Sequence, residues 1–280
     1  MAADRNRVVQ ALLIFAGWML ITGLFGRLWT AAGIPEVLKS SVSGLAPLNY
    51  LVAILFLGVM IAAFRWRDVG LNAPHSSRSL LLLWFPGLYV VAFVGLVVFI
   101  GLPPAGAVLP ILVATALASV SEELACRGML YQGLRSRLSV WPAILLSTAL
   151  FGAGHLANGF VLGNFAIAGV QSIAAFMTGI SFMAIRVRTG SLYPGMVLHG
   201  LWDFSLLMVA SALVEHADLS GASGGAVPAA ALLLPVLGVL PNFLYGLFLL
   251  RHVARDERAA MVGPAAVPYP PAGAPPTSSP

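Results

Sequence analysis

Hydrophobic positions in this chain come in long unbroken runs, not in the 3.6- or 2-residue alternation of a helix or strand with one face in water. Val8–Phe25, Ala46–Phe64, Leu80–Ile100, Ala107–Leu134, Leu138–Gly154, Asn164–Ile185, Leu192–Val214 and Pro228–Leu250 are such runs. Each reaches or approaches the length of about 20 residues with which a helix spans a bilayer. The pattern predicts an all-α polytopic membrane protein with eight transmembrane helices. Backbone groups in lipid must be satisfied internally, which leaves helices or closed barrels. Barrel strands are runs of about 10 alternating residues, and these segments neither alternate nor stop so soon.

Composition agrees. The 280 residues are 59% hydrophobic and 9% charged, with a mean hydropathy of +0.94. A soluble domain carries roughly 25% charged residues, so this chain cannot cover a water-facing surface. Arg5 and Arg7 before the first run resemble the start of a signal peptide. The run exceeds the usual h-region of about 7–15 residues and leads into further spans, so it reads as a retained helix.

Charge sets the expected orientation. Of fifteen Lys and Arg, twelve occupy alternate connections: Arg5, Arg7; Arg65, Arg67, Arg78; Arg135, Arg137; Arg186, Arg188; Arg251, Arg255 and Arg258. Positive charge favours the cytoplasmic side, which places both termini there and the 215–227 connection outside, in a multi-pass protein of the cell membrane. The net charge of +5 follows from that topology and implies no nucleic-acid partner. A single cysteine excludes an internal disulfide. Residues 1–258 form one membrane domain. Residues 259–280, rich in Pro and Ala, read as a disordered cytoplasmic tail.

Within the runs, six ionisable residues fall at membrane depth: Glu122, Glu123, Arg127, His155, His199 and Asp203. A charge at the bilayer centre costs at least ~3 kcal/mol on insertion scales, so such groups are functional candidates. Glu123 and Arg127 are four apart, the favourable order for an ion pair on one helix face. Glu122 lies about 100° away round that helix and can face something else. His155 and the pair His199 and Asp203 come from two further spans. At 1.5 Å per residue, all of them fall in one layer roughly 10–20 Å from the cytoplasmic ends. Three carboxylates against one guanidinium must be balanced by protonation, by imidazolium or by a divalent metal; all three solutions stay open at this point.

The stretch "EELACRGMLYQGL" (Glu122–Leu134) resembles the EExxxR motif of the CPBP intramembrane proteases, which include the type II CAAX prenyl endopeptidases and bacteriocin-processing relatives. "FGAGH" (Phe151–His155) resembles their FxxxH motif, and "RTGSLYPGMVLHGLWD" (Arg188–Asp203) their HxxxN/D helix. The likeness covers residues 107–214 and implies a catalytic bundle of helices four to seven. It implies a peptide hydrolase in which Glu122 and His155 activate water, Glu123 and Arg127 fix Glu122, and His199 and Asp203 hold the oxyanion. The family is also described as metalloproteases, and the resemblance would then give Glu122, His155 and His199 a divalent metal such as zinc. Implied partners are the lipid bilayer and a peptide or membrane-protein substrate. The prenyl endopeptidase branch has Asn where this chain has Asp203.

Other chemistries fit less well. No HExxH occurs, a catalytic aspartate pair would need a second Asp at depth, and Ser181 in "GISF" reads as helix packing. Cys126 sits on the face of Glu122 as buried filler, while His75, His216 and His252 belong to connections. The six tryptophans are expected mostly at span ends, where their rings suit the interface. The rival from another class is a proton-coupled transporter, since carboxylates and histidines at depth also relay protons; a protease-like scaffold that does not cut is the third reading.

Overall fold

The computed structural model describes residues 2–29, 46–216 and 229–262. The regular structure of the described residues is all helical, without strands, and among them eight helices are long and apolar enough to cross a membrane. They are α1 (Ala2–Trp29), α2 (Ala46–Phe64), α3 (Trp84–Ile100), α4 (from Ala105), α5 (Val140–Gly154), α6 (Phe165–Thr189), α7 (Tyr193–His216) and α8 (Ala229–Leu250). A short helix α9 (Val253–Val262) follows.

Helix ends follow local chemistry. The side chain of Asn164 accepts from the amides of Ala166 and Ile167 at 3.0 and 3.1 Å, opening α6. Gly190, at φ +70°, closes it, the left-handed conformation that glycine takes without a Cβ clash. The third predicted span begins differently from expectation, as a 3-10 helix Ser77–Leu83 capped by Ser76, before α3 takes over. Past residue 258 the expected tail starts as helix, since α9 runs to Val262; residues 263–280 lie outside the described residues.

At the centre, α4 packs against α1, α2 and α7, while α6 is held between α5, α7 and α8. The connection between α2 and the 3-10 helix lies along the turn that enters α7. Leu192 N–H donates to the Gly70 carbonyl and His75 N–H to that of Thr189, both at 2.9 Å. Ser191 Oγ donates to the Asn72 carbonyl at 2.5 Å. Gly70 has φ +95°, and a Cβ there would meet the Arg186 guanidinium at 2.5 Å. Both facts require glycine at that point.

Two tryptophans depart from expectation. Trp18 and Trp202 are buried in the bundle: Trp18 donates its indole N–H to Ser121 Oγ at 2.7 Å, and Trp202 stacks on Tyr89 with centroids 4.7 Å apart. A hydrogen bond holds the first and ring contacts hold the second on neighbouring helices, where a ring at the interface would use water. Ser181 donates to the Asn242 carbonyl at 2.6 Å, joining α6 to α8 as a packing contact. Cys126 is a free, buried thiol.

Candidate active site

The motif helix changes geometry where the charges sit. α4 is α-helical from Ala105 to Glu122, a π-helix from Glu123 to Leu130, and α-helical again over Tyr131–Arg135. Tyr131 N–H reaches back five residues to the Cys126 carbonyl. Wide turns of this kind recur at functional sites. Every residue of the π segment is buried, so a chain read as a uniform helix in fact changes its winding between the two glutamates. Ser147 of α5 donates to the Cys126 carbonyl at 3.2 Å and ties the wide turn to its neighbour.

The two glutamates consequently meet different surroundings. Glu123 pairs with Arg127 at 3.2 Å, and both side chains are sealed, 1% and 0% exposed. The Arg127 guanidinium lies 4.1 Å from the ring centre of Phe151 and 5.7 Å from that of Phe182. A desolvated cation over an aromatic face gains about 2 kcal/mol or more, which helps to hold the charge in so dry a place. Small residues let the helices close on this pair. A Cβ on Gly195 would stand 3.2 Å from Glu123 Oε2, and one on Gly179 would stand 3.0 Å from an Arg127 nitrogen and 2.7 Å from Thr148.

His199 links the sealed pair to the open layer. Its Nδ1 lies 3.0 Å from Glu123 Oε1. A carboxylate paired with Arg127 accepts, so Nδ1 donates. The ring is stacked on Phe182, centroids 4.7 Å apart, and its Nε2 faces Asp203 Oδ2 at 3.4 Å and Glu122 Oε2 at 3.7 Å. Glu122 and Asp203 keep 16% and 34% of their side-chain surface open, against 7% for His199. Glu123 thus contacts His199 as well as Arg127, a partner on α7 that the motif spacing did not indicate.

His155 forms the end of α5, the first residue of the 3-10 turn His155–Ala157. Its Nδ1 lies 3.0 Å from the Phe151 carbonyl. A carbonyl only accepts, so a hydrogen is on Nδ1, and in the neutral ring Nε2 is the acceptor. His155 is within electrostatic reach of Asp203 and His199. Among the described residues, no hydrogen bond or ion pair joins it to Glu122. Nor are three His, Cys, Asp or Glu side chains placed to hold a metal ion among the described residues, so Glu122, His155 and His199 do not form a ligand cage as they stand.

Sequence reasoning missed several contributors. Phe182 stacks on His199 with no motif to mark it. Tyr50 of α2 lies within electrostatic reach of Glu122 and Asp203. Arg186, counted with the connections, is buried in the last turn of α6 and donates to the Asp68 carbonyl at 3.3 Å. Arg7, which stacks on Trp66, pairs with Asp68 as well. None of these has a local spacing signal, because each partner comes from a distant part of the chain.

Residues 104–205 match the sequence model of the family described as Type II CAAX prenyl endopeptidase Rce1-like. The match runs from the start of α4 into α7, takes in all six ionisable residues of the layer, and is consistent with the CPBP resemblance of the motifs. It supports a protease in a multi-pass membrane protein. No curated protein and no solved structure matches the chain.

Proposed function

We propose that the chain is an intramembrane endopeptidase that hydrolyses a peptide bond of a membrane-associated or peptide substrate. The observation that carries this is the contrast between its two histidines. His199, with Nδ1–H donated to a sealed carboxylate and with Glu122 and Asp203 at Nε2, sits where imidazolium is stabilised, and as imidazolium it donates from Nε2. His155, with Nδ1–H donated to a carbonyl, offers an acceptor. One donor and one acceptor in a single layer suit the two ends of a hydrolysis.

In this reading, water attacks the peptide carbonyl carbon and its proton passes to Glu122, with His155 as the second acceptor. The carbonyl becomes an oxyanion that accepts from His199 Nε2–H and from Asp203 in its protonated form. The C–N bond then breaks as the proton held on Glu122 is delivered to the departing amine. Glu123 and Arg127 touch no reacting atom; they keep His199 in place.

The test compares the membrane and secreted peptides of cells carrying wild type or Glu122→Gln. Specific peptides should disappear, and their precursors accumulate, in the variant. Identical peptide sets with both proteins expressed equally would remove the general base from the account and make a transport assay the next step. The arginine distribution supports termini inside. A cysteine placed at Ser220 should then react with an impermeant label in intact cells; reaction only after permeabilisation would reverse the orientation.

A further inference from the structure

Away from the catalytic layer, a cavity of about 480 Å³ opens where α6, α8 and α9 meet. Leu82, Phe248 and Leu249 line its apolar part, and Arg188, Arg251, His252 and Arg255 its polar part, with Asp256 as the single acid. Arg188 is already tied down: Nε donates to the Leu249 carbonyl at 2.7 Å, and NH1 pairs with Asp256 at 3.0 Å. That pair cancels, which leaves the guanidinium groups of Arg251 and Arg255 in excess. Arg251 lies 3.7 Å from the ring centre of Phe248 and donates to the Phe248 carbonyl at 2.7 Å. This fixes its plane and leaves further N–H groups to donate. Arg255 is exposed, and its side chain has no partner among the described residues.

The surroundings say what kind of anion would arrive. Phe248, Trp84 and Leu81 beside the cavity are 55%, 61% and 71% exposed, apolar surface at the end of membrane-length helices, where acyl chains suit it. Tyr245 donates its hydroxyl to the Leu82 carbonyl at 3.0 Å, with its ring 6.3 Å from that of Trp84. Aromatic groups of this kind settle at headgroup level. The α8 span ends at the arginines, and α9 continues with a charged face. Apolar lining on the lipid side and unpaired guanidinium on the water side match a molecule built the same way. Basic pockets of this design between spans hold phosphate headgroups.

We propose that this cavity is a binding site for the phosphate headgroup of an anionic phospholipid, with Arg251 and Arg255 on the phosphate and the acyl chains against Phe248 and Leu82. The site is independent of the protease chemistry, and its test reads binding rather than cleavage. The purified full-length chain is kept in a zwitterionic detergent, and its thermal unfolding midpoint is followed on titration with phosphatidylglycerol, phosphatidylcholine or inorganic phosphate. Phosphatidylglycerol should raise the midpoint of wild type saturably, and the other two should not. Arg251→Gln with Arg255→Gln should weaken phosphatidylglycerol binding about thirtyfold, at about 1 kcal/mol for each charge, with its lipid-free midpoint unchanged. The lysine pair Arg251→Lys with Arg255→Lys should keep binding within a few-fold and shows that charge, not folding, is at issue. Equal midpoint shifts from phosphatidylcholine would mean a non-selective lipid groove, and equal shifts from inorganic phosphate a free-anion site. Either result overturns the proposal, as does undiminished phosphatidylglycerol binding by the glutamine pair.

Discussion

Glu122 and Glu123 are neighbours in sequence, yet they belong to two different regions of the molecule. Glu123 lies in a closed compartment with Arg127, Phe151, Phe182 and one edge of His199. Glu122 lies in an open one with Asp203 and the other edge of His199. The change from α- to π-helix falls between them. Identical side chains therefore meet different surroundings: the closed carboxylate is paired and sealed, whereas the open one keeps part of its surface free, and the proposed function gives them different work. Membership of a motif does not by itself distinguish these roles; exposure and partner do.

The closed compartment should give the larger effect on stability. Glu123→Gln leaves Arg127 as a buried charge without its counter-ion, and breaking such a pair typically costs about 3–5 kcal/mol. It also replaces the charged acceptor that orients His199 with a neutral amide, so turnover should fall by some 10–100-fold, the usual effect of weakening a supporting partner. Unfolding in detergent and cleavage by the surviving folded protein measure the two separately. A Glu123→Gln protein of wild-type stability would mean that the closed compartment is not closed.

A subtler substitution addresses the same compartment through packing. Gly195→Ala places a methyl 3.2 Å from Glu123 Oε2, and the enclosed carboxylate has little room to withdraw. Overpacking of this kind costs about 1–3 kcal/mol, and here it should lower turnover by disturbing His199. An alanine variant with normal stability and normal turnover would show that Glu123 has slack.

Asp203 should be the most tolerant position of the open region. It keeps a third of its side-chain surface open, and asparagine preserves its size and a donor. Activity of Asp203→Asn should stay within about tenfold, roughly 1.4 kcal/mol in the barrier, including after chelator treatment, while Asp203→Ala should lose far more. One tightly bound zinc per wild-type chain, lost together with activity in the asparagine variant, would reverse that expectation.

The eight spans were legible because hydrophobic length alone decides them: α2 occupies the residues expected, and the other spans start or end within a few residues of the runs. The layer of ionisable groups was legible too, since any charge in such a run stands out. Three things were not. The π turn has no composition of its own to mark it, and it packs against α1 and α5, contacts made across the bundle. The partner of Glu123 could not be read from spacing, because i to i+4 arithmetic reaches Arg127 but not His199, 76 residues away. Trp18 and Trp202 were placed at the interface by residue type, whereas Ser121 and Tyr89 hold them inside. Local signals find elements and charges; partners across the bundle decide which charge does what.

The separation of the two glutamates is tested most directly by Glu122→Gln, with turnover and thermal unfolding measured on the same purified sample. A near-isosteric amide cannot take the proton from water, and loss of a general base costs about 10²–10⁴ in rate. The account predicts a loss of that order with an unfolding midpoint close to that of wild type, because no sealed charge loses its partner. Wild-type turnover by a well-folded Glu122→Gln protein would contradict it.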